Sequence, residues 1–122
     1  MSKVLIVGPD SSTIKLYQAA IAFQGLETIS ASSASETLEM IKHNPRLILL
    51  DISTPDLKEV NLVDEIKSRI DGRIPLIIIA DMKHNHDVSQ HSIEGVCEYL
   101  SKSETSVGDV IKKVREVIDE KK

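Results

Sequence analysis

Two four-residue runs, Leu47-Ile48-Leu49-Leu50 and Leu76-Ile77-Ile78-Ile79, contain only aliphatic side chains. They are too short for helices and show no alternation of apolar and polar residues. They therefore read as strands covered on both faces, the situation of a parallel sheet. Parallel strands must be joined by crossovers, and segments of helical period stand between the β-branched runs. The pattern predicts strands over 3–7, 27–31, 47–50, 76–79 and 98–100, and helices over 12–24, 34–43, 60–70, 86–94 and 106–120. The first four helices stop at Gly25, Pro45, Gly72 and Gly95, the last near the end of the sequence. Five β/α alternations with short connections predict an α/β fold: a doubly wound, five-stranded parallel sheet with five helices. Right-handed crossovers make 2-1-3-4-5 the economical strand order.

Composition narrows the function classes. With 122 residues and 41% hydrophobic content, the chain is expected to form one domain spanning 1–122 around one core. Lys and Arg number 15 against 19 Asp and Glu, a net charge of -4, so the basic footprint of a nucleic-acid binder is missing. The lone Cys97 has no disulfide partner, and no apolar stretch reaches the ~20 residues of a membrane span. The chain opens on a strand pattern rather than a signal peptide, so the cytoplasm is the expected compartment. Aromatic residues make up 2% of the chain, which leaves little material for stacking on flavins or bases.

The candidate site follows from the third strand. Asp51 ends the Leu47–Leu50 run, and Ile52-Ser53-Thr54-Pro55 breaks the pattern with a turn. The carboxyl end of a central strand is where open α/β sheets place their ligands. An aspartate there usually acts with other acids, yet the first strand, Lys3-Val4-Leu5-Ile6-Val7, runs into Gly8-Pro9.

In order and spacing, Leu5-Ile6-Val7, Leu49-Leu50-Asp51 with Pro55-Asp56, Pro75 to Ala80, and Gly95-Val96-Cys97-Glu98-Tyr99-Leu100-Ser101-Lys102 resemble a bacterial response-regulator receiver domain. The resemblance covers essentially the whole chain. It implies a domain of two-component signalling and phosphorelays, phosphorylated on the aspartate after the third strand, with Mg²⁺ held by that aspartate and an acid pair after the first strand. A Ser or Thr after the fourth strand and a Lys after the fifth hold the phosphoryl oxygens, and a switch aromatic reports the state to partners. The resemblance makes Asp51 the phosphoacceptor position, Lys102 the lysine, and Ala80 and Tyr99 the switch positions.

Several of these positions depart from the pattern. Gly8 and Pro9 replace the acid pair, Ala80 the hydroxyl residue, and Ser103 the proline after the lysine; Lys58 and Glu59 occupy a stretch where a glycine is usual. Phosphoryl transfer to a carboxylate brings two anions together, and the metal makes that approach tolerable. Mg²⁺ wants oxygen ligands in near-octahedral array, which Gly8 and Pro9 cannot supply. Asp10 could rescue the ion only by cooperating with Asp51, and in Pro9-Asp10-Ser11-Ser12 an acid more naturally caps the first helix. No cofactor is therefore expected, and Tyr99 is expected to hold one orientation whatever the phosphodonor. A non-proline peptide favours trans by ~3 kcal/mol, so the Lys102–Ser103 bond is expected trans, drawing Lys102 away from Asp51. Asp51 and Lys102 also have a plainer reading as a residual ion pair holding the loops, and Tyr99 one as a half-buried strand aromatic.

Other polar groups carry less. His84, His86 and His91 share a segment with Asp87, but structural metal sites want four ligands at tight spacing, and this segment reads as a solvated helix. His43 reads as a cation at a helix end, and Cys97 as a small buried residue. The turn from Gly8 to Thr13 opens onto a helix start and could cradle a phosphate-containing small ligand, as in flavodoxin-like domains of the same sheet order, though it has no glycine ladder or Walker lysine.

The expectation is a degenerate receiver, a pseudo-receiver, that acts as a phosphorylation-independent interaction module and not as an enzyme. Its partner would be a signalling protein or a histidine kinase relative, docking on the fourth predicted helix, the fifth strand and the last helix, with a weak homodimer as a further option. No nucleic acid and no membrane enter this reading. On the last helix, Val107, Val110, Ile111, Val114 and Ile118 are expected to face the sheet and Lys112, Lys113 and Arg115 the solvent. A receiver still phosphorylated on Asp51, and a small-ligand domain, are the alternatives.

Overall fold

The computed structural model describes residues 3–8, 11–51, 60–70, 74–80, 98–101 and 106–120. The elements run β1 (Lys3–Val7), α1 (Ser11–Phe23), β2 (Glu27–Ala31), α2 (Ala34–Ile41), β3 (Leu47–Asp51), α3 (Val60–Ile70), β4 (Leu76–Ala80), β5 (Glu98–Ser101) and α4 (Val107–Glu120). All pairings are parallel, and the strand order is β2-β1-β3-β4-β5, as the crossover argument requires. The helix expected over 86–94 lies outside the described residues, so four helices are described where five were predicted.

The differences from the sequence reading are at element ends and have local causes. β3, β4 and β5 each continue one residue further than their apolar runs, because Asp51 pairs beside Ile79 and Ala80 beside Ser101. The first helix starts at Ser11 and ends at Phe23 in a Schellman motif: the Leu26 N–H donates to the Ile21 carbonyl at 3.4 Å and the Gly25 N–H to that of Ala22 at 2.9 Å. Gly25 takes φ +82, which glycine reaches without strain. The second helix ends at Ile41 rather than His43. Its last carbonyls, those of Met40 and Ile41, accept the N–H groups of His43 and Asn44, and Asn44 turns the chain with φ 52. The last helix begins one residue late because Ser106 is its cap.

Two apolar clusters cover the two faces of the sheet, built by the alternation of side chains along each strand. Leu5, Val7, Ile48, Leu50, Leu76 and Ile78 pack under α2 and α3, with Ile41, Ile66 and Ile70. Val4, Ile6, Leu47, Leu49, Ile77 and Ile79 pack under α1 and α4, with Ile14, Tyr17, Ile21, Val110, Val114 and Ile118. Fully burying an aliphatic side chain contributes about 1.5–3 kcal/mol, so the central strands carry much of the stability. The last helix presents its faces largely as expected: Val110, Ile111, Val114 and Ile118 are buried, Val107 is partly buried against the cluster, and Lys112 and Arg115 are exposed, while Lys113, expected in solvent, is partly buried. Val117 is also buried and was missed.

Candidate functional site

Register brings the site together at the carboxyl end of the sheet. Val7 pairs beside Leu50 and Asp51 beside Ile79, so Gly8, one step beyond β1, lies level with Asp51. The Gly8 N–H donates to the Ala31 carbonyl at 3.2 Å and extends the ladder toward β2. On the other side Ile79 pairs beside Leu100 and Ala80 beside Ser101, which places the Ala80 backbone one step beyond Asp51's neighbour. Tyr99 pairs beside Ile78, one residue behind that level. Pro9, Asp10, Lys102 and Ser103 lie outside the described residues, as do the Lys102–Ser103 bond, Lys58, Glu59, Cys97 and the segment with His84, His86, Asp87 and His91.

Asp51 is 1% exposed, the most buried charged residue described. It alternates with Leu49, so its side chain belongs to the α1 face of the sheet. Gly8 alternates with Ile6 and belongs to the same face. A Cβ added at Gly8 would lie 2.9 Å from Cγ1 of Ile14, closer than side chains approach one another. Ile14 is itself buried, at 7% exposed. At the first acid-pair position the first side-chain carbon is thus excluded by an isoleucine from the helix that follows.

Tyr17, one turn further along α1, is buried on the same face. Burial pushes its phenol up to about 12, and the charge of Asp51 adds to the rise. Sequence reasoning passed over both residues. The signal that could have found them is the stripe Ile14, Tyr17, Ile21 at helical spacing in a chain with so few aromatics.

The described residues do not fit a divalent cation here. Asp51 is the single carboxylate that a described strand carries to this end of the sheet, and Glu36, on α2, is committed to Ser32. Among them no group of three or more His, Cys, Asp or Glu could hold a metal ion. A recess of about 440 Å³ opens beside the start of α1, lined by Ser11, Lys15, Ser30, Ser32 and Glu36 among others. Glu36 accepts from the Ser32 N–H and Oγ, both at 2.9 Å, and these bonds hold its carboxyl below the usual range. An ionised Glu36 opposes a phosphate in that recess. No helix among the described residues is long and apolar enough to cross a membrane.

Residues 4–115 match the response regulator receiver domain family. This chain is a receiver domain of that family. It is 32% identical over 102 residues to the polar-differentiation response regulator DivK of Brucella ovis, covering 81% of this chain and 82% of that protein. Among solved structures, it superposes on the CheY-like receiver domain protein of Methanospirillum hungatei with TM-score 0.84 and 26% identity, covering 99% of this chain and 96% of that one. A receiver domain from Clostridium thermocellum gives TM-score 0.84 at 22% identity, covering 99% and 97%, a likeness of fold. The resemblance carried by Asp51 and the flanking strands is therefore one of family.

Proposed function

We propose that this receiver domain signals by contact with another protein and without taking up a phosphoryl group. The observation that carries the proposal is the fit of Ile14 over Gly8. Next to the phosphoacceptor position Asp51, an apolar side chain fills space that a metal-binding carboxylate would need. Asp51 then serves as a buried polar group under α1 at the end of β3. Ala80 supports the same reading, since an alanine has no hydroxyl to follow a phosphoryl group inward. Partners are a signalling protein or a histidine kinase relative, and they dock on the face bordered by β5, with Tyr99, and α4. On this reading the domain is a contact module and catalyses nothing.

The test is a residue-resolved chemical-shift titration with Mg²⁺ and beryllofluoride. The expected result is no saturable change at Gly8, Asp51, Ala80 or Tyr99, with a single Tyr99 ring environment throughout. Saturable shifts around Asp51 that vanish in Asp51→Asn would overturn the proposal and restore a phosphorylatable receiver in which Asp10 helps to hold the ion.

A further inference from the structure

We draw no further inference here: the strongest candidate, the open groove between α1 and α4 with Leu16 and Phe23 exposed along its α1 wall, is an apolar face and nothing in the structure shows what covers it.

Discussion

At Gly8 the absence of a side chain is a packing requirement. Ile14 Cγ1 lies 2.9 Å from where a Cβ would be, and both positions are buried. Gly8→Ala should therefore destabilise the fold by about 1–3 kcal/mol, the usual penalty of overpacking a filled core. Combined with Ile14→Ala, the cost should fall short of the sum of the single changes by ~0.5 kcal/mol or more, because the two groups compete for one space. Chemical denaturation of the four proteins of the cycle measures this, and simple additivity would mean that Ile14 does not fill the Gly8 position. Tyr17 yields a second residue-scale expectation. Its phenol is raised from 10.0 to about 12, first by burial and then by Asp51. Above pH 10 the unfolded chain releases the proton while the folded one keeps it, so stability present below pH 10 is lost as the pH climbs toward 12. Tyr17→Phe should flatten that alkaline decline. Asp51→Asn should lower the titration of Tyr17 only partly, since burial is the larger cause; ultraviolet titration, with Tyr99 the only other tyrosine, reads both.

At the scale of elements, the ends of helices were harder to read than their existence, because a cap is a matter of geometry. Ser106 reads equally well as the first turn of a helix or as its cap. In the fold it is the cap of α4: its Oγ accepts from the Asp109 N–H at 3.1 Å, and Asp109 Oδ2 accepts from the Ser106 N–H at 3.2 Å. This reciprocal pair closes two otherwise open donors of the helix that covers β1, β3 and β4. Ser106→Ala should cost about 1 kcal/mol, read as a lower denaturation midpoint with unchanged slope. An equal loss in Ser12→Ala, on the exposed first turn of α1, would show the effect to be generic and not that of the cap. α2 starts in a related way, with Ser33 Oγ accepting from the Glu36 N–H at 3.2 Å while Glu36 turns back to Ser32 rather than to Ser33. The aliphatic strands were legible because two buried faces leave no room for a polar residue. Their last residues were not, because pairing across the sheet decides them and a single strand's sequence does not contain its neighbour.

Across the whole molecule, the fold was legible and the state of the site only partly so, for one physical reason. Topology follows from periodicity and crossover handedness, which are local, whereas the site depends on which side chain enters which space. Asp51 could be placed at the end of β3 from the run before it, but Ile14 filling the Gly8 position and Phe23 standing exposed are outcomes of packing between elements. A stripe of apolar residues on a helix says that one face is buried and does not say which member is left outside. The same reasoning gives a measurement on the intact domain. An ion bound only by the folded state raises its stability, and a site of ~1 mM affinity filled at ~10 mM Mg²⁺ adds about 1.4 kcal/mol. For a domain of this size that is a rise of roughly 3–6 °C in Tm. With Gly8 filled over by Ile14, and Asp51 the single carboxylate that a described strand carries to this end of the sheet, no rise is expected at ~10 mM Mg²⁺, with or without beryllofluoride. A Mg²⁺-dependent rise that Asp51→Asn removes would show that the ion is held after all and restore the reading in which Asp10 helps to hold it.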